Sequence, residues 1–378
     1  MTRNYQICTE CIMDTSDPSI TFDEKGVCHH CSDFNKYVKP NWHPDSNGRK
    51  ELEKIVEKIK IDGRKRDFDC LLGMSGGMDS SYMLHMAVNE WGLKPLVFHV
   101  DAGWNSELAV KNIECMVEKL KVDLYTEVIN WEEIKDFQLA FFKSGIRELD
   151  IPQDHAFIAM VDKFAEKYKI KYILNGGNFS TECVMPPREW LYYGTDIKFI
   201  KDIHGKFGTI PLKTYPFVSV LKHKLYLKYL KGIQNIKPLN YVPYIKKDVV
   251  RILADNYDWR EYPQKHFESR FTKFFEGYWL PEKFGIDMRR IQLSSLILTG
   301  QISRNEALSI VEKPAYNPEK IAEEFEYIAK KLNISVDELR SYFNAPNKTF
   351  RDYKNSEWFF VLGARIMKAA GLERAVRR

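Results

Sequence analysis

The chain has 378 residues, 44% hydrophobic and 29% charged, a composition that suits a folded globular protein and excludes a disordered one. Its net charge of +5 is mild and its basic residues are dispersed, which fits a polyanionic small molecule better than nucleic acid. No apolar run reaches membrane-spanning length and the N-terminus lacks a signal-peptide core, so no membrane insertion is expected.

Four of the seven cysteines fall in two CxxC pairs, Cys8–Cys11 and Cys28–Cys31. That usage points to a metal in a reducing cytoplasm and away from disulfides. Each knuckle offers two thiolates to one tetrahedral ion, so structural zinc is expected, with an iron–sulfur cluster or a redox pair as the competing readings. Ile20–Phe22 and Gly26-Val27 read as a small hairpin between the knuckles, and His29 and His30 as solvated. Residues 32–50 read as a linker, and an amphipathic helix follows from Glu51 to Ile61. The expected division is a zinc knuckle with its linker over 1–45, an α/β domain over 46–245 and a helical region over 246–378.

The stretch FDCLLGMSGGMDSS, Phe68 to Ser81, has the form of a strand, a Gly-rich turn and a helix start. Glycines let a backbone approach an anion, and the free N–H groups of a first helical turn point at it. Ser75, Gly76, Gly77, Met78, Ser80 and Ser81 are therefore expected around bound phosphate, with Asp79 holding Mg2+. The structural alternative is a tight corner that needs Gly only for its backbone angles. No Lys follows the glycines, so this is not the ordinary P-loop. The hexapeptide from Ser75 to Ser80 resembles the SGGxDS signature of the PP-loop (N-type) ATP pyrophosphatases, which implies cleavage of ATP between the α and β phosphates.

Further strands are expected at Pro95–Val100, Leu124–Ile129 and Tyr172–Leu174, with helices around Ala109–Leu120 and Asp154–Tyr168. The alternation predicts an α/β fold with a doubly wound parallel sheet, whose ligands sit at the carboxyl ends of the strands. That places Asp101, read as a ribose ligand or a cap, beside Gly176, Gly177, Asn178 and Glu182, the last read as a metal or substrate ligand or a cap. Asp154 reads as an N-cap that also serves the substrate. Residues 183–225 read as irregular; Arg188, Trp190, Tyr192 and Tyr193 there suit a sugar or base platform, or core. From 245 the chain reads as helical, with caps at Ser303, Asn317 and Ser335. Lys265, His266 and Arg270 are expected to grip pyrophosphate or an anionic substrate, the alternative being a charged helix face. A tail helix with Trp358, Phe359, Leu362, Ile366 and Met367 reads as core or interface.

The cysteine knuckle, SGGMDSS, HVDAGWNSELAVKNIE, LNGGNFSTE, KHFESRFTKFFEGYWLPEKFGID and LSSLILTGQISRNEAL occur in this order. Together they resemble the N-acetyl sugar amidotransferases of lipopolysaccharide and surface-glycan biosynthesis. The resemblance implies that an acetamido group on a nucleotide-linked sugar is adenylylated and then aminated to an acetamidino group, releasing AMP and pyrophosphate. ATP, Mg2+ and structural Zn2+ are the cofactors implied. Cys70 sits in a buried strand, and Cys115 and Cys183 lack a glutaminase pattern. Ammonia is therefore expected from a separate glutaminase through a synthase-like partner. Two other readings stay open: a PP-loop tRNA thiolase with a zinc knuckle, and a non-enzymatic zinc-knuckle adaptor.

Overall fold

The computed structural model describes residues 4–369. Five parallel strands form one sheet in the order β3-β2-β1-β4-β5: β1 Cys70–Gly73, β2 Pro95–Asp101, β3 Leu124–Val128, β4 Tyr172–Leu174 and β5 Gln234–Ile236. The apolar runs of β1, β2 and β4 are buried because helices cover both faces of the sheet. One face packs Leu71, Leu96, Phe98 and Ile173 against Phe137, Met160 and Phe164. The other packs Cys70, Leu72, Val97 and Leu174 against Met83, Ile113 and Leu253.

The strand order reverses beside β1, whose neighbours β2 and β4 leave it in opposite directions. Their carboxyl ends open a crevice there. Gly73 leads directly into the glycine turn, and the helix Met78–His85 starts within it. The glycine turn, the end of β2 and the loop after β4 thus face one another.

Several local expectations are corrected. The stretch 32–50 is mostly helical turns, and its helix begins at Ser46, capped by Asp45, and runs to Gly63. The helix after residue 145 starts at Ile151, so Asp150 holds the N-cap position and Asp154 lies inside the first turn. Residues 183–225 include a helix, Ile197–Phe207, capped by Asp196. Trp358, Leu362 and Ile366 of the tail helix are exposed, while Phe360 stacks on Tyr193. Met367's side chain lies outside the described residues. Ser303 and Ser335 accept from the Glu306 and Glu338 amides, as their spacing predicts.

The cysteine knuckle is docked on the helical region. Arg304 donates to the Cys8 and Cys11 carbonyls, Arg290 to the Ile12 carbonyl and Asp14, and Trp190 to the Ser16 carbonyl. Those helices, Arg289–Leu298 and Arg304–Val311, also wall the crevice, so the knuckle buttresses the site it does not line.

Candidate active site

Gly76 makes the glycine turn possible. Its φ of +79° belongs to glycine, and a Cβ there would sit 2.6 Å from the Ala109 carbonyl. Its own carbonyl accepts from Trp259 Nε1 and the Tyr262 hydroxyl, both at 3.0 Å, which fixes the turn against the 259–262 segment. Ser75 Oγ lies 3.1 Å from Ser80 Oγ and accepts from the Gly77 amide at 3.2 Å. The two hydroxyls thus stand together over the first helical turn. Ser81 faces away: its Oγ is buried and has no hydrogen-bond partner among the described residues.

Asp79 and Glu182 converge on Lys265 Nζ, at 2.8 and 2.7 Å. Asp79 also accepts from Asn178 Nδ2 at 3.1 Å and from the Tyr244 hydroxyl. Burial is the largest single influence and would raise its pKa, but the Lys265 ammonium, the Tyr244 hydroxyl and His266 together outweigh it and hold the carboxyl below its ordinary value. Burial works against the Lys265 charge too, and the two carboxylates overcome it and raise its pKa. The loop after β4 reaches this point because Gly176 lies against the Asp79 backbone, where a Cβ would come within 3.1 Å. Here the Lys265 ammonium fills the position between the two carboxylates; with the lysine turned toward phosphate, the pair would offer Mg2+ the oxygen donors it takes.

His266 has a φ of +67°, a left-handed conformation that costs a non-glycine residue about 1–2 kcal/mol. Its Nδ1 is 3.1 Å from Glu276, and its ring is 42% exposed to the crevice. Burial opposes the ring's charge, yet the Glu276 carboxylate carries its pKa up to about 9, so His266 is cationic at neutral pH. The segment is held over the glycine turn by backbone bonds from Ser106 to Glu268 and from Arg270 to Trp104.

Two chambers meet here. The first, about 800 Å³, is lined by Ser75, Gly77, Met78, Asp79, Ser80, Gly176, Gly177, Glu182, Lys265 and His266, and by Trp259 and Tyr262. The second, about 570 Å³, shares Ser75, Glu182, Lys265, His266 and Glu268 and extends past Asn178, Asp150, Asp154 and Glu276 to Glu148 and Trp190. Glu148 Oε2 is buried without a partner among the described residues, and burial pushes its pKa up to about 7.

Besides Ser81, three expected site residues are not brought to the crevice. The Asp101 carboxylate turns back to accept from the Gly103 amide at 2.7 Å, closing a turn; it lines neither chamber, and the cap of the next helix is Ser106 instead. Arg270 pairs with Glu324 at 3.2 Å and lies 3.4 Å over the Tyr327 ring, because the first turn of its helix faces the C-terminal helices. Arg188 pairs with Glu357 and lies over Tyr193, whose neighbour Tyr192 is core. Trp190 is buried, with only an edge on the second chamber. Sequence reasoning missed Tyr244, Lys237, Glu268 and Glu276. Glu268 and Glu276 lie within KHFESRFTKFFEGYW and were legible as acids beside the basic residues; Tyr244 and Lys237 have no local signal.

The four knuckle sulfurs lie within 4.8 Å of one another, with spacings of 3.6 and 3.7 Å. A tetrahedral ion with Zn–S bonds of about 2.3 Å needs edges of about 3.8 Å, so the thiolates fit zinc. A cubane cluster binds each thiolate to a different iron and spreads them wider. Amides of Glu10, Met13 and Cys28 donate to the sulfurs and stabilise thiolate charge. His30 is not solvated: its Nε2 is 2.9 Å from buried Asp17.

Residues 268–367 match the family described as LPS biosynthesis protein WbpG-like, C-terminal domain. No curated protein matches the chain. Among solved structures, the chain is similar to the U34-tRNA thiolase NcsA from Methanococcus maripaludis with its [4Fe-4S] cluster. The identity is 16%, covering 82% of this chain and 89% of that one, with a TM-score of 0.33. NMN synthetase from Francisella tularensis matches at 15% identity over 76% of this chain and 94% of that one, TM-score 0.31. NH3-dependent NAD synthetase from Campylobacter jejuni matches at 13% over 56% and 93%, TM-score 0.28.

Proposed function

With a WbpG-like C-terminal domain as the premise, we propose that the chain is an ATP-dependent amidotransferase of lipopolysaccharide, O-antigen or other surface-glycan biosynthesis. It acts in the cytoplasm on a nucleotide-linked N-acetyl sugar and converts an acetamido group to an acetamidino group. One observation carries this reading: Asp79 and Glu182 converge on a single cationic position at the mouth of the Ser-Gly-Gly-Met-Asp-Ser turn.

The first chamber receives ATP and the second the acetamido end of the sugar; both open on Ser75, Lys265 and His266. The amide oxygen attacks the α-phosphorus, and the bond to pyrophosphate breaks with its electron pair on the leaving oxygen. Ammonia adds to the resulting imidate carbon, and AMP departs with the former amide oxygen. Ser75, Ser80 and the Gly77 backbone position the phosphates. Lys265 and His266, both cationic, offset the charge that develops on pyrophosphate. Once Lys265 turns from them to the phosphates, Asp79 and Glu182 would hold Mg2+, whose charge would neutralise phosphate. Ammonia comes from a partner glutaminase through a synthase-like subunit.

The thiolase reading needs a sulfur-handling cysteine at the site. Among the described residues no cysteine lines either chamber, and Cys183 is buried against the Ser295 carbonyl with its thiol pushed up to about 12, burial being the main cause. The test incubates the purified chain with ATP, Mg2+, ammonium and a panel of diacetamido sugar nucleotides. AMP and pyrophosphate in equal amounts with an amidine product are expected, and glutamine should serve only after the glutaminase is added. ADP with orthophosphate, or thiolation of tRNA, would reject the proposal.

A further inference from the structure

A second surface lies away from both chambers. The helix Leu221–Leu230 winds in the wide i→i+5 pattern, which sets Leu221, Leu225, Tyr226 and Leu230 on one face while Leu227 turns inward. Leu221, Leu225, Tyr229 and Leu230 are 51%, 45%, 56% and 76% exposed, and they border a shallow groove with Glu166. The helix and the residue after it carry Lys222, Lys224, Lys228 and Lys231 and no acidic residue. Lys228 and Lys231 rest 5.1 and 5.5 Å from the ring centres of Tyr229 and Tyr226. The acids that face the ridge from the helix Ile151–Lys167 are engaged: Asp162 with His223 at 2.8 Å and Glu166 with Lys222 at 2.7 Å.

We propose that this ridge docks the protein on an anionic bilayer surface. A second copy of the chain would set lysines against lysines. Protein interface cores are depleted in Lys, whereas Leu and Tyr flanked by Lys match a headgroup layer, where apolar side chains dip in and ammonium groups meet lipid phosphates. No described helix is long and apolar enough to cross a membrane, so the attachment is peripheral. None of the ridge residues lines the chambers, so docking leaves the crevice open.

The test sediments the full chain with phosphatidylcholine vesicles, with and without phosphatidylglycerol, at low and high salt. Binding is expected only with phosphatidylglycerol, and salt should release it. Lys228→Ala and Lys231→Ala should each weaken partitioning about fivefold. Leu225→Ser with Leu230→Ser should weaken it at unchanged charge, and all variants should melt like the parent. Failure of the parent to bind anionic vesicles, or binding indifferent to these substitutions, overturns the proposal. So does a ridge-dependent dimer or an acidic protein found on this face in place of lipid.

Discussion

Alanine at Gly76 and at Gly77 should separate the fold of the glycine turn from its chemistry. At Gly76 the left-handed backbone costs alanine about 1–2 kcal/mol. The new Cβ would lie 2.6 Å from the Ala109 carbonyl, a helix backbone atom that cannot swing aside. Relieving that clash disturbs a carbonyl that accepts from Trp259 and Tyr262, and losing one such bond adds about 1 kcal/mol. The expected loss is about 3 kcal/mol, or about 4 °C in melting temperature for a chain this long. Gly77 has a φ of −72°, which any residue adopts, and its Cβ would meet the movable end of Glu268 and come 3.2 Å from the Ser75 hydroxyl, two side-chain ends that can give way. Gly77→Ala should therefore change stability by less than about 0.5 kcal/mol while placing a methyl group in the phosphate cradle. Thermal melts with and without ATP and Mg2+ read both effects. Gly76→Ala should lose melting temperature, and Gly77→Ala should lose only the nucleotide-induced rise. A Gly77→Ala protein with the full ATP-induced rise would refute the placement of the phosphates, and a Gly76→Ala protein that melts like the parent would refute the strain.

Asp79→Ala should abolish turnover while the protein still folds, since Lys265 keeps Glu182 as its partner; normal activity would remove Asp79 from the site. Because the pKa of His266 is raised to about 9 by Glu276, its charge is present below that value and lost as pH rises through it. Activity should fall above about pH 9, and Glu276→Gln should move that limb toward the ordinary histidine value of about 6.5. An unmoved limb would show that His266 charge is not used. Cys8→Ser or Cys28→Ser should lower stability and metal content before altering chemistry, and metal analysis should give one zinc per chain; iron with labile sulfide would contradict this.

Much of the sheet was legible because β1, β2 and β4 are apolar runs buried on both faces. β5 was not, since Gln234-Asn235-Ile236 is a short, mostly exposed edge strand that carries no hydrophobic pattern. The helix Trp131–Ser144, though amphipathic and capped by Asn130, was also passed over. At the site, the glycine turn announced itself through local geometry. Tyr244 did not, because its hydrogen bond to Asp79 exists only once a distant segment has packed against the helix Met78–His85. Arg270 misled for the opposite reason: its neighbours Lys265 and His266 face the crevice, but a helix begins between them and turns its guanidinium to Glu324.

The adenylylated imidate is the central claim, and the fate of the amide oxygen tests it most directly. A nucleotide sugar carrying ¹⁸O in its acetamido carbonyl would be turned over with ATP, Mg2+ and ammonium, and the nucleotide product examined by mass spectrometry. Attack of the amide oxygen on the α-phosphorus predicts one ¹⁸O in each AMP released and none in pyrophosphate. Label in orthophosphate, or AMP without label while the amidine forms, would contradict the account.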